Sequence, residues 1–328
     1  MLINKIHQMD CLEGMKKIPD NSIDSCVTDP PYGLSKEPDI REVLEKWLNN
    51  EPYDHKHAGF MGKTWDSFVP HPDIWREVYR VLKPGAHALV FAGTRTQDLM
   101  TISLRLAGFE VRDVIEWLYF SGFPKSMDVS KAFDRRAGAE REVVGQYSVT
   151  RDFRDISGGR YGDKTVNSKA HVVNITAPAT ELAKKWDGWG TGLKPAHEPI
   201  IMVRKPLDGT VVDNVERWGT GAINIDGCRI GDEKIVNKPP SYRGKTGEFV
   251  LAGTPYTQEK LEINTGRFPA NCVTLEDDQF YSKYFNITPP ELSKKASKKD
   301  RNSDWRGEEI TFNRNTHPTC KPTDLMAW

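Results

Sequence analysis

Hydrophobic and polar positions along the first 120 residues follow a pattern that predicts strands and helices in turn. Ala86 to Phe91 form a nearly continuous apolar run, which is typical of a strand buried on both faces. Helices are predicted on either side of it, over Pro72–Leu82 and Gln97–Ala107, and a further strand over Phe109–Tyr119. This alternation predicts an open α/β sheet.

The N-terminal segment predicts two more strands with a helical turn between them. The first strand runs from Ile3 to Met9, and the second runs from Asn21 to Thr28 and has the character of a buried strand. Residues 33–64 then form a long polar excursion with one helical stretch, Ile40–Leu48. Loops of this length in a compact domain are often lids or binding loops.

The second of these strands ends in Asp29-Pro30-Pro31-Tyr32, which we call the corner. Proline has no backbone N–H and fixes φ near about −65°, so the chain must stop pairing there and hold a rigid turn. The turn presents a carboxylate, a backbone carbonyl and an aromatic ring. An exocyclic amine on a flat base needs two acceptors for its hydrogens and a π-face for stacking. The corner is therefore a candidate amine-holding site, although Pro-Pro pairs also occur in ordinary loops.

Two acidic residues and one short segment are predicted to lie at the same edge of the sheet. In open α/β sheets, ligands bind outside the carboxyl ends of the strands. Asp10, Asp29 and the segment Ala92-Gly93-Thr94 each follow a predicted strand. Asp10 could accept a hydrogen bond from a ligand or could simply cap the following helix.

The second half of the chain differs from the first in composition and shows less regular alternation of predicted helices and strands. Residues 121–190 are rich in Gly, Ser, Arg and Asp and predict one helix, Val129–Ala137. Pro199–Val203 predicts a strand that returns to the sheet. Residues 207–315 lack helix-strand alternation and suggest a loop-rich module, with short strands at Ala222–Asp226 and Asn271–Leu275.

Composition argues against several classes of protein. The chain has 328 residues, a formal net charge of +0 and a pI of about 7.1, so it is not a globally basic nucleic-acid binder. Its five cysteines include no Cys-x-x-Cys pair, which argues against a zinc site or disulfide framework. His55 and His57 lack an obvious third ligand and are interpreted as surface residues, so no metal site is predicted.

No apolar run reaches the roughly 18 residues of a membrane span, and we expect a soluble cytoplasmic protein.

The corner, together with an ordered set of further motifs, resembles the beta group of DNA amino-methyltransferases in its long phage and prophage form. That group carries its catalytic corner near the N-terminus. The resemblance covers nearly the whole chain, in segments 9–15, 91–97, 121–126, 192–200, 221–229, 266–271 and 317–322. It implies an open, doubly wound S-adenosylmethionine-dependent methyltransferase sheet with a loop-rich target-recognition region.

The resemblance also implies residue roles, with S-adenosylmethionine as the cofactor and double-stranded DNA as the partner. Asp29 and the Pro30 carbonyl would hold the target amine, next to Pro31, while Tyr32 would stack on a flipped base. The cofactor would contact Asp10, Cys11, Asp29, His317, Thr319, Lys321 and Pro322. Contacts with DNA would come from Lys194, His197 and Glu198, and from the basic run that contains Lys294, Lys295, Lys298 and Lys299, although such runs are often solvated faces.

The implied domain organisation has five regions. They are a catalytic α/β part at 1–120, an inserted segment at 121–190, a returning strand at 191–206, a target-recognition region at 207–315 and the start of a cofactor-binding part at 316–328. The family's Asp-x-Phe-x-Gly-x-Gly cofactor loop, expected just beyond residue 322, is absent from the sequence. We therefore expect an incomplete sheet, and either a truncated product or half of a split enzyme that needs a second polypeptide.

Three functions stay open at this point. Methyl transfer to adenine N6 is favoured, and N4 of cytosine presents the same kind of amine. Methylation of a glutamine amide or an RNA base is disfavoured by the N-terminal position of the corner. The third is a DNA-binding remnant without catalysis. The recognition sequence and the oligomeric state are not encoded in any pattern we identify.

Overall fold

The computed structural model describes residues 6–34, 36–57, 66–119, 126–149, 171–236, 263–274 and 286–287. Its described residues belong to two compact units. The larger unit contains the described residues up to Leu118 and from His197 onward, and the smaller unit contains those from Tyr119 to Ala196. None of the helices in these ranges has the length and apolar character needed to cross a bilayer.

The elements of the larger unit are, in chain order, α1 (Cys11–Met15), β1 (Ile23–Thr28), α2 (Ile40–Leu48), α3 (Pro72–Val81), β2 (Leu82–Phe91), α4 (Gln97–Leu106), β3 (Glu110–Leu118), β6 (His197–Arg204), α7 (Val211–Trp218), β7 (Ile230–Val236), β8 (Ile263–Arg267), β9 (Cys272–Thr274) and β10 (Asn286–Ile287). Those of the smaller unit are α5 (Val129–Ala137), β4 (Val143–Val149), β5 (His171–Thr176) and α6 (Glu181–Lys185).

The main sheet has six strands in the order β1-β2-β6-β3-β9-β10. β1 and β2 are parallel, and so are β3, β9 and β10, whereas β6 runs antiparallel to both of its neighbours. The prediction of an open α/β sheet with a returning strand is confirmed. Because β6 is antiparallel, its first residues lie at the same edge as the carboxyl ends of β1 and β2.

The core lies between this sheet and its helices. Val90 of β2 and Val203 of β6 are fully buried, and they belong to one cluster with Met100 and Leu104 of α4. α3 forms because His71 caps its first turn, with Nδ1 accepting from the Asp73 amide at 3.2 Å, and because Pro72 occupies a position that suits its fixed φ. The helices thereby cover the strands that lead to the corner.

β1 is an edge strand within the described part of the chain, where β2 is its one partner. Its residues are all either partly buried or exposed, and Val27 is 40% exposed. The predicted strand is therefore present, but the prediction that it is buried is wrong. The corner thus follows the outermost strand of the described sheet.

Lys205 ties the end of β6 to the segments that flank β1. Its buried Nζ donates to Asn21 Oδ1 at 2.7 Å and to the carbonyls of Tyr79 and Leu82, each at 2.8 Å. Three acceptors fully satisfy an ammonium group, which explains how a lysine can be buried here. This contact anchors the start of the strand that carries the corner.

Several predicted elements differ from the structure. Residues 6–9 form no strand, and 3–5 lie outside the described residues. The predicted strand at 222–226 is instead a loop followed by a short 3-10 helix at Asp226–Cys228. β2 begins at Leu82 and includes Gly85, because the Gly85 amide finds a partner in the Lys205 carbonyl at 3.1 Å.

Several short elements were not predicted, namely α6, α7, β4, β5, β7, β8 and β10. Of these, α7 had a usable signal, since Thr210 and Asp213 form a capping box and Gly219 ends the helix with φ +72°. In the smaller unit, buried Asp134 accepts hydrogen bonds from Arg141, from the backbone of Ala179 and from Thr180. This polar network joins α5 to the start of α6.

Candidate active site

The corner lies at the carboxyl end of β1, beside the end of the parallel strand β2. Thr28, the last residue of β1, pairs with Val90 of β2. Asp29 is the next residue, so it lies level with the end of β2. Asp29 is exposed, and Pro30, Pro31 and Tyr32 are partly buried. The predicted catalytic residues therefore stand where open α/β sheets bind ligands, with Asp29 exposed.

The backbone of Tyr32 is held at both its amide and its carbonyl. Its N–H donates to Oδ1 of Asp66 at 3.0 Å, and its carbonyl accepts from Oγ1 of Thr96 at 2.6 Å. Asp66 and Thr96 are both buried, at 9% exposed each. Because both peptide groups are paired to buried partners, the last residue of the corner has little freedom to move.

The ring of Tyr32 is fixed separately, through its hydroxyl. The hydroxyl donates to Oε2 of Glu198, near the start of β6, at 3.1 Å. Burial raises the pKa of Tyr32 well above its usual value, and the negative charges of Glu198 and Asp29 and hydrogen bonds to both raise it further. The phenol therefore stays protonated and lies between two carboxylates.

Glycines allow the close packing around Tyr32. Gly33 has φ +67°, and a Cβ there would lie 2.9 Å from the backbone nitrogen of Val69. At Gly93, a Cβ would lie 3.1 Å from Thr96 Oγ1 and 3.4 Å from the Cβ of Tyr32. A side chain at either position would push the corner away from the loops that hold it.

The residues predicted to bind a cofactor are placed only in part. Asp10 is the N-cap of α1, and its Oδ1 accepts from the amides of Leu12 at 3.0 Å and Glu13 at 3.2 Å. Cys11 is an exposed free thiol. The capping interpretation of Asp10 is thus correct, and its ligand role stays a prediction. The other four predicted positions, His317, Thr319, Lys321 and Pro322, lie outside the described residues.

Of the residues predicted to contact DNA, the structure describes three, Lys194, His197 and Glu198. Lys194 is exposed and belongs to the smaller unit. His197 Nε2 lies 3.5 Å from Oε2 of Glu116, an ion pair when the imidazole is protonated. Glu198 contacts Tyr32 as described above. The basic positions Lys294, Lys295, Lys298 and Lys299 lie outside the described residues.

Sequence reasoning selected neither Asp66 nor Thr96. Asp66 follows a long polar stretch with no local signal of its own. Thr96 could have been found, because it lies two residues after the segment Ala92-Gly93-Thr94 that the strand pattern placed at the site edge. A hydroxyl at such an edge is a ready donor for a nearby backbone carbonyl.

The interpretation of His55 as a surface residue is wrong. It is 6% exposed and its ring packs against Tyr53, His57 and Phe68, with centroids 5.9, 5.2 and 5.2 Å away. Burial is the main cause that lowers its pKa, which favours the neutral imidazole. Among the described residues, no three His, Cys, Asp or Glu side chains are grouped as a metal site would require.

Comparison with known proteins adds an independent line of evidence. The profile of a DNA methylase family, whose members act on N6 or N4 amines, matches residues 23–327. The chain is 24% identical to the type II methyltransferase M.HindIII of Haemophilus influenzae, over 68% of this chain and 65% of that protein. It is 31% identical to M.BglII of Bacillus subtilis, over 29% of this chain and 21% of that protein.

The chain therefore spans less than two thirds of the length of either curated relative. Among solved structures it is similar to TTHA0409 of Thermus thermophilus, at 15% identity and a TM-score of 0.28, over 63% of this chain and 56% of that one. A TM-score this low supports no inference. The family match, which covers most of the chain, is the finding on which the next step depends.

Proposed function

The chain belongs to the N6/N4 family of DNA methylases, and from this we propose that it transfers a methyl group from S-adenosylmethionine to the exocyclic amine of a base flipped out of DNA. We assign adenine N6 as the target. The observation that carries the proposal is the corner itself, with Asp29 exposed at the carboxyl end of β1 and Tyr32 fixed beside it.

The corner can hold an amine without changing its own protonation state. The carboxylate of Asp29 and the carbonyl of Pro30 accept the two amine hydrogens, which leaves the nitrogen lone pair free to face the methyl group. Tyr32 supplies a ring for stacking, as readers of flipped bases do. Holding the nucleophile in line contributes through proximity and orientation. The cofactor would supply the methyl group by breaking its sulfur–methyl bond and leaving as a neutral thioether. Asp29 is the adjacent acceptor for the one proton that the methylated nitrogen would lose.

Two exposed acids suit the proposed cofactor. S-adenosylmethionine supplies a methyl group that is already activated on a sulfonium, so no metal is needed to polarise it. An exposed Asp29 complements a positive sulfonium, and Asp10 offers a carboxylate for ribose hydroxyls. Asp10, Cys11 and Asp29 would hold the cofactor, with His317, Thr319, Lys321 and Pro322 proposed on the family resemblance alone.

Substitution of Asp29 tests the proposal. The 328-residue chain, alone and mixed with a polypeptide that carries the family's cofactor loop, is incubated with S-adenosylmethionine and DNA that lacks methylated bases, and the nucleosides are then analysed by mass. We expect N6-methyladenine from the unsubstituted chain and a loss of about 100-fold or more for Asp29→Ala, since the amine loses its charged acceptor. Binding of DNA should be unaffected.

Asp24→Ala is the matched control. Asp24 lies on the same strand, has a 72% exposed side chain and pairs with Lys83, so its loss should leave turnover intact. Detection of N4-methylcytosine in place of N6-methyladenine would identify N4 of cytosine as the target. DNA binding without S-adenosylmethionine binding or methylated product would instead make the chain a non-catalytic DNA-binding protein.

A further inference from the structure

Glu198 has a position that its predicted contact with DNA does not explain. It lies in the second position of β6, paired across the sheet with Trp117, which is 5% exposed. The next residue, Pro199, is buried, and its carbonyl accepts from the Ala92 amide at 3.0 Å. The backbone of Glu198 is therefore set by strand pairing on both sides of β6.

The side chain of Glu198 extends along the site edge to the corner. Its Oε2 accepts the Tyr32 hydroxyl at 3.1 Å across a separation of 166 residues. The backbone of Tyr32 is held by Asp66 and Thr96 at the two contacts described above. Those two contacts act on the backbone, whereas the contact with Glu198 holds the hydroxyl end of the ring.

The phenol has one proton and two nearby carboxylates. Both Glu198 and Asp29 interact with the Tyr32 hydroxyl. A hydroxyl that donates to Asp29 would occupy an acceptor that the target amine needs. A hydroxyl that donates to Glu198 leaves that acceptor to the amine.

We propose that Glu198 is a positioning residue, whose carboxylate accepts a hydrogen bond from the Tyr32 hydroxyl, anchors the hydroxyl end of the ring and keeps that proton away from Asp29. The proposal rests on the proposed function, because it concerns how the corner receives an amine. Glu198 acts through Tyr32 and needs no contact with the base.

A double-mutant cycle tests this in single-turnover methyl transfer. Glu198→Ala and Tyr32→Phe each remove the same charge-assisted hydrogen bond, so each should lower the rate by about 10-fold. The double variant should be no slower than Glu198→Ala, because the two changes share one interaction. Glu198→Gln should recover most of the rate, since its amide oxygen still accepts the hydroxyl. The KM for DNA should not change.

Glu110→Ala is the control. This carboxylate also pairs across the sheet, with Arg204 at 2.7 Å, but at the opposite end of β3. The rate of methyl transfer by Glu110→Ala should match that of the unsubstituted chain. Losses that multiply to about 100-fold in the double variant, or a Glu198→Gln variant as slow as Glu198→Ala, would overturn the proposal.

A second measurement does not depend on catalysis. In a mixture of H2O and D2O, tyrosine labelled with ¹³C at Cζ gives two resolved signals when its hydroxyl exchanges slowly, and the Tyr32 signal is identified by its loss in Tyr32→Phe. We expect slow exchange in the unsubstituted chain and in Glu198→Gln, and about 10-fold faster exchange in Glu198→Ala. Equal exchange in all three would overturn the role of Glu198. Absence of methyl transfer by the unsubstituted chain would instead count against the proposed function.

Discussion

Tyr32 depends on residues far away in the sequence. Its partners Asp66, Thr96 and Glu198 are 34, 64 and 166 residues distant. The corner could be selected from the sequence because its four residues are consecutive and their chemistry is local. Glu198 was selected as a contact with DNA and Thr96 lies near the predicted edge, but no pattern in the chain indicates that either of them, or Asp66, will reach the corner once the sheet forms.

Cys26, three residues before the corner, provides a pH-dependent prediction. The side chain packs against the core, and burial raises the pKa of its thiol to about 11 from 9.0. The neutral thiol is favoured in the fold, so its contribution to stability is complete below pH 9.0 and is lost as the pH rises through about 11. At about pH 9, an alkylating reagent should label exposed Cys11 and leave Cys26 unmodified.

Peptide mapping by mass spectrometry checks this labelling. Denaturant should make Cys26 as reactive as Cys11, which serves as the internal control. Equal labelling of both thiols in the folded protein at that pH would show that β1 does not pack as described.

The elements that the sequence predicted best are those with a strong apolar pattern. α2, α3, α4 and the strands β2 and β3 appear within a few residues of their predicted bounds. The short elements of the smaller unit were missed because so few residues give too few positions for a periodicity. The burial of β1 was also wrong, because a strand's exposure depends on what lies beside it in the sheet.

Lys205 gives an element-scale test of how β6 supports the start of β1. Replacing it with methionine leaves the carbonyls of Tyr79 and Leu82 without their donor, each of which costs about 1–3 kcal/mol. We therefore expect Lys205→Met to lower the free energy of unfolding by about 3 kcal/mol in denaturant titration.

Lys83→Met is the matched control for that experiment. Lys83 pairs with the exposed carboxylate of Asp24, and such surface pairs contribute about 0–1 kcal/mol. Equal effects of the two substitutions would mean that Lys205 does not act as a buried anchor.

At the scale of the whole molecule, alternation of strands and helices was enough to predict an open α/β sheet. The order of its strands was not predictable from the pattern, since it depends on where β6 inserts between β2 and β3. The ordered motifs, rather than composition, indicated the family, because a net charge of +0 gives no sign of a nucleic-acid partner.

The basic run tests where DNA is held. If Lys294, Lys295, Lys298 and Lys299 each contact a phosphate, replacing all four with glutamine should reduce the slope of log K against log salt by about 3 to 4. Fluorescence anisotropy over a salt series measures this. Replacing Lys16, Lys17, Lys46 and Lys131, which lie on α1, α2 and α5 or next to them, is the control. An unchanged slope for the first set would make the run a solvated surface.

The central claim is that the corner holds a DNA amine for methylation. The most direct measurement compares methyl transfer to unmethylated DNA by the 328-residue chain, by Asp29→Ala and by Asp24→Ala, each mixed with a polypeptide that carries the family's cofactor loop, and identifies the nucleosides by mass. We expect N6-methyladenine from the unsubstituted chain and from Asp24→Ala, and a loss of about 100-fold or more for Asp29→Ala with DNA binding retained. Equal turnover by Asp29→Ala and the unsubstituted chain would contradict the account.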